Sequence, residues 1–230
     1  MTEAEWLAAT DPRPMLTFIV RQSSDRKLRL FAVACCRRVW GFLSNEHSRR
    51  AVEVAERFAD GLADQDELER AFRAGKDAYM NRDPSIPHSD AALAAFMACV
   101  GLPGNAAVYV SAHSVYAIKN CQIENEPGTP AHLVESREIA QQNRILCGLL
   151  QDFYGPLPFR PVTPDPDWLT SSVVALAEGI YAERAFDRLP ILADALQDAG
   201  CENADILAHC RSDGPHVRGC WVVDLVLGKR

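Results

Sequence analysis

Apolar positions recur along this chain at intervals of three and four, the period of one face of an α-helix. Leu28, Phe31, Ala32, Cys35, Val39, Phe42 and Leu43 form the first such stripe. Ser24 or Asp25 supplies a side-chain oxygen able to cap its first free N–H groups. Leu30, Val33, Ala34 and Trp40 lie on the flank, so the pattern predicts a helix buried on most sides. A second helix is predicted from about Ser44 to Phe58, ended by Gly61. Asp64-x-x-Glu67 is a capping-box start for a third, with Leu68, Ala71 and Phe72 facing inward.

Asn81–Pro87 carries two prolines among turn formers and is predicted to be a loop. Ser89 or Asp90 then caps an Ala-rich helix to Cys99. Asn105 opens another, on which Tyr109, Ala112, His113 and Tyr116 share a face. Pro130 suits the first turn of the next helix, which is expected to end at Gly155. Pro156 to Pro166 holds five prolines in eleven residues, the composition of an extended strap. It is predicted to part a helical body, 1–155, from a C-terminal helical subdomain, 167–230. Thr170, Pro190 and Asn203 start three helices there. His216 to Leu227, framed by Pro215 and Gly228, is predicted helical, although Val222, Val223 and Val226 also suit a strand. The fold class that follows is all-α, a multi-helix bundle-like fold.

With 48% hydrophobic and 24% charged residues over 230 positions, a disordered chain is excluded. Acidic residues outnumber basic ones 31 to 24, a net −7 that argues against a protein coating nucleic acid. The opening MTEAEW is acidic and lacks the basic and apolar parts of a secretory signal. No apolar run approaches the roughly 18 residues that cross a bilayer. These features point to a soluble, cytoplasmic chain away from membranes, its eight cysteines reduced.

The charge is unevenly spread. Residues 21–50 hold eight Arg or Lys against only Asp25 and Glu46. Arg26 and Arg37 are eleven positions apart, three helical turns, and so are Lys27 and Arg38. Such a stripe can meet an anionic ligand or an acidic protein partner. It can equally pair with this chain's own acids, among them Glu53, Glu56, Asp64, Asp66, Glu67 and Glu69. The sequence contains no GxGxxG, no GxxxxGK[ST], no HExxH and no GxSxG. The leading expectation is therefore a non-catalytic interaction or adaptor module. A helical hydrolase or transferase would have to join the charged patch Glu183–Arg188 to His113 or His216.

Ser24 to Arg38 reads SDRKLRLFAVACCRR, Asp187 to Leu196 reads DRLPILADAL, and His216 to Leu225 reads HVRGCWVVDL. Together with the MTEAEWL start, these segments resemble a bacterial protein family with no assigned activity. The resemblance implies a complete protein unit and brings no catalytic residue with it.

One cluster does carry chemistry. Cys201, His209, Cys210, His216 and Cys220 fall within twenty residues. Zinc takes four such ligands in a tetrahedron. On a helix, His216 and Cys220 would share a face, and Cys201 with His209 or Cys210 would complete the set. The chain has no CxxC, and buried free cysteines more often serve as small hydrophobes. Cys35-Cys36 beside Arg37 and Arg38 invites a reactive-thiol role, but Cys35 falls on the apolar stripe and is read as packing. The expectation is no cofactor, with zinc at this cluster as the alternative.

Overall fold

Capping oxygens stand where the sequence placed them. Ser24 accepts from the Lys27 N–H (3.3 Å), Asp64 from Glu67 (2.7 Å) and Thr170 from Val173 (3.3 Å). The computed structural model describes residues 1–81 and 89–229. It forms α1 (Glu3–Leu7), α2 (Pro12–Ile19), α3 (Asp25–Arg38), α4 (Glu46–Ala59), α5 (Gln65–Met80) and α6 (Ser89–Met97). There follow α7 (Pro103–Asn125), α8 (Ala131–Tyr154), α9 (Ser171–Glu183), α10 (Leu189–Asp198), α11 (Ala204–Cys210) and α12 (Trp221–Val226). No strand occurs among the described residues, so the fold is all-α. The loop expected at Asn81–Pro87 lies, apart from Asn81, outside those residues. No described helix is long and apolar enough to cross a membrane.

The chain divides into two compact units. Ala9–Cys147 is continuous. The other is split, joining Met1–Ala8 to Gly148–Arg230, and the proline-rich stretch 156–166 falls within it. Charge follows the same division. The continuous unit holds seventeen acidic and seventeen basic side chains; the split unit holds fourteen against seven, the whole of the net −7.

In the continuous unit α3 packs against α4, α6 and α7, and every residue from Lys27 to Cys36 is buried. That burial decides the fate of the basic stripe. Arg26 pairs with Asp60 (3.2 Å), and Arg37 pairs with Glu56 (2.7 Å) while lying over the Trp40 ring. Arg38 donates to Gln142, and burial lowers its pKa. Arg26 and Arg37 thus face Asp60 and Glu56, which α4 and its C-cap set opposite them, and Lys27 is buried beside them. Arg29 is buried as well, 4% exposed. Its Nη1 donates to the Ala98 and Val100 carbonyls (2.8 and 3.2 Å), just past the end of α6, with the guanidinium over Phe58.

The split unit has its own core, drawn from α9, α10, α11 and α12. Here the expected helix over 216–227 is shortened to Trp221–Val226. The cause is Gly219, at φ +98°, where any Cβ would collide with the edge of the Phe153 ring. His216 to Cys220 is therefore a loop, which Arg218 fastens by donating to the Tyr181 and Ala182 carbonyls at the end of α9 (both 3.1 Å). Helix α1 begins with a reciprocal Thr2–Glu5 capping box. It buries Trp6 against the edges of Tyr154 and Phe159.

Removing the buried guanidinium strips two carbonyls of their donor. Arg29→Ala is expected to destabilise the continuous unit by about 2–3 kcal/mol. A lower urea midpoint at unchanged slope would show it; an unmoved midpoint would mean that Arg29 anchors nothing.

Candidate metal centre

The last two turns of α8 carry Leu146, Leu149, Leu150 and Phe153 on their buried side, and Asp152 sits in the same register. A carboxylate there has to find partners inside the protein. Its Oδ2 accepts from the Val217 backbone N–H (3.1 Å). Its Oδ1 lies 2.7 Å from His216 Nδ1 and 3.2 Å from His209 Nε2. Cys220 Sγ completes the group, 3.1 Å from the same His209 Nε2.

Three elements bring these side chains together. Asp152 comes from α8 and His209 from the last turn of α11, which Asn203 caps by accepting from the Asp205 and Ile206 N–H groups. His216 and Cys220 come from the loop that Gly219 bends. All four donor atoms lie within 4.8 Å of one another. A tetrahedral zinc with bonds of about 2.0–2.3 Å sets its ligands roughly 3.3–3.8 Å apart, so the cluster has the right size. Cys220 is fully buried, Asp152 and His216 nearly so, and His209 is the most open at 14%.

The hydrogen bonds around His216 fix its chemistry. Nε2 lies 3.0 Å from the Ser212 carbonyl, which only accepts, and 3.3 Å from the Ser212 hydroxyl, whose own proton goes to the His209 carbonyl (2.8 Å); a proton on Nε2 satisfies both contacts. Nδ1 faces the Asp152 carboxylate, another acceptor. Both contacts are satisfied by a doubly protonated ring, or by a cation that takes the Nδ1 lone pair and the carboxylate together. A ring nitrogen anchored on a backbone carbonyl while the other points at the metal is the usual outer shell of a ligating histidine.

The pKa directions match. Burial works to raise the Asp152 pKa, but hydrogen bonds to His209 and His216 and their charges outweigh it and leave the group lowered. Burial works to lower that of His216, yet its hydrogen bond to Asp152 and that carboxylate's charge leave it raised. Burial, with Asp152 alongside, pushes the Cys220 thiol well above its ordinary range. A metal bound there has to displace that proton, because the thiolate is the ligand.

Cysteine, histidine and aspartate are also the parts of a thiol-nucleophile triad. A triad needs one imidazole nitrogen on the nucleophile and the other on the orienting carboxylate. Here His209 Nε2 faces both Cys220 and Asp152, the arrangement of donors converging on one point.

Of the five residues singled out by spacing, three meet at the site: His209, His216 and Cys220. Cys201 and Cys210 do not join them. Both are fully buried in the apolar core with Val173, Leu192 and Leu196, and burial, then Cys201 and Asp152, push the Cys210 thiol to about 12. The fourth donor, Asp152, lies far from the cluster in sequence. It is one of three buried polar side chains on α8, with Glu138 and Gln142. Elsewhere, Glu183 and Arg188 form a solvent-exposed pair (2.9 Å). His113 Nδ1 lies 2.9 Å from Asp90, whose other oxygen accepts from Asn120.

No protein-family model, no curated protein and no solved structure matches the chain.

Seven of the eight cysteines are buried, and only Cys121 is partly open. Burial holds the thiols of Cys35 and Cys99 at about 12 and that of Cys147 at about 11. An aromatic disulfide reagent at about pH 8 should therefore titrate one thiol quickly and the rest only on unfolding. Prompt labelling of Cys220 alongside Cys121 would show the centre to be open to solvent.

Proposed function

We propose that this chain is a zinc-binding helical protein in which the metal is structural, fastening the loop before α12 to the end of α8. The observation that carries this reading is the convergence of four donors of three kinds, one carboxylate oxygen, two imidazole nitrogens and one thiol, within 4.8 Å in the interior of one unit. Four protein ligands close a tetrahedron and leave no position for water or substrate, the mark of a structural site. The charges balance as well. A divalent ion with one carboxylate, one thiolate and two neutral imidazoles is neutral overall, which removes the cost of burying an unpaired charge. Sulfur and imidazole favour zinc over magnesium or calcium, which take oxygen ligands. The acidic balance of the split unit draws cations towards it.

Elemental analysis of the purified protein should find about one zinc per chain. Replacing it with cobalt(II) should give the visible bands of a tetrahedral ion and a thiolate charge-transfer band. Asp152→Asn and Cys220→Ser should each lose the metal and lower the thermal midpoint, whereas Cys201→Ser should keep it. Wild-type protein that takes up neither zinc nor cobalt would overturn the reading.

A further inference from the structure

Helix α1 has only five residues, Glu3–Leu7, far fewer than the roughly 12–15 that hold a helix together alone in water. Its structure therefore comes from docking, and both of its ends dock beside a metal ligand. At the C-terminal end, Gln151 Nε2 donates to the Trp6 and Leu7 carbonyls (3.0 and 3.3 Å). Gln151 is the chain neighbour of Asp152. At the N-terminal end, Arg160 Nε donates to Glu3 Oε1 (3.1 Å). The same guanidinium grips Asp205 with both terminal nitrogens, Nη2 at 2.9 Å from Oδ1. Asp205 lies one turn before His209 on α11.

Resting on the zinc reading, we infer that α1 is a metal-gated latch, docked only while the ion holds Asp152 of α8 and His209 of α11 together. Helix α1 touches α8 directly, through Gln151 and Tyr154, and is tied to α11 through Arg160, which holds Glu3 and Asp205 together. Asp205 holds the Arg160 guanidinium at Glu3, and the segment that carries Arg160 also sets Phe159 against Trp6. Withdrawing the ion loosens α11 from α8, and the Arg160–Asp205 pair that steadies the anchor at Glu3 goes with it. The occupancy of a buried centre is then expressed at the surface, as Trp6 covered or uncovered.

Linkage makes the effect reciprocal: whatever zinc adds to the docking of α1, docking adds to the affinity for zinc. Arg160 touches no ligand atom of the centre, so it separates the two. Amide hydrogen exchange on the full chain, zinc-loaded and zinc-stripped, reads the latch directly. On stripping, exchange over residues 3–8 should rise about tenfold or more, while α3 in the continuous unit keeps its protection. Arg160→Ala should raise exchange over residues 3–8 in the presence of saturating zinc. It should still bind one ion, with weaker affinity in competition with a chromophoric chelator.

Three results overturn the latch. One is exchange over residues 3–8 that stays fixed on stripping while residues 209–220 open; the zinc reading then stands alone. Another is a rise through α3 as well, which is general unfolding. The third is unchanged zinc affinity in Arg160→Ala. Protein that takes up no zinc at all removes the reading and the latch together.

Discussion

A carboxylate buried near the end of a helix has to be neutralised where it stands, and the split unit is organised around that demand. Asp152 occupies a position that the surrounding leucines and phenylalanine would give to an apolar residue. A lone charge there would cost several kcal/mol. The chain answers with a backbone N–H on one oxygen and two imidazoles on the other, and those imidazoles draw the 209–220 segment onto α8. The loop can make that approach because Gly219 takes a backbone conformation closed to other residues and leaves the Phe153 ring its room. Gly155 does the same for Trp221, whose indole lies where any side chain at 155 would project and whose ring meets His209 edge-on (5.3 Å). Two glycines thus set the geometry that four polar side chains use.

The continuous unit meets the same demand with the opposite sign. Arg29 and Arg38 go into the interior, and Arg26 and Arg37 lie against Asp60 and Glu56. Such pairs add little net stability, since desolvation consumes much of the attraction. They do fix how α3 can rotate against α4 and α6, because any other setting strands a guanidinium or a carbonyl. Within the chain, these basic side chains help to set the register of α3.

Most of the helices were legible in the sequence because helix starts are local. Ser24, Asp64, Thr170 and Asn203 each act within three residues, and Gly155 and Gly200 end helices by backbone conformation alone. Helix α2 escaped notice, although Asp11 caps it and Pro12 opens it in the expected manner; its eight residues are too few for a persistent stripe. The error over 216–227 has a different origin. Nothing local distinguishes a glycine inside a helix from one that must lie against a ring, and Phe153 is sixty-six positions away. The metal centre divides along the same line. His209, His216 and Cys220 were visible as a dense cluster, while Asp152 joins through tertiary contact, which spacing cannot report. Cys201 and Cys210 share the chemistry of the site but lie in the apolar core, Cys201 in the turn before α11 and Cys210 at its end.

The division of the chain has a consequence in time. Ala9–Cys147 is one uninterrupted stretch, so it can close on itself as it is synthesised. The split unit cannot. Met1–Ala8 is made before that whole stretch, yet Gln151, Tyr154, Phe159 and Arg160, the residues it docks on, are made after it. Trp6 must remain unburied through the synthesis of the intervening unit, and its capture closes a long loop at an entropic cost that grows only slowly with loop length. The continuous unit can therefore complete its contacts first, whereas those of Glu3 and Trp6 wait until Phe159 and Arg160 have been made.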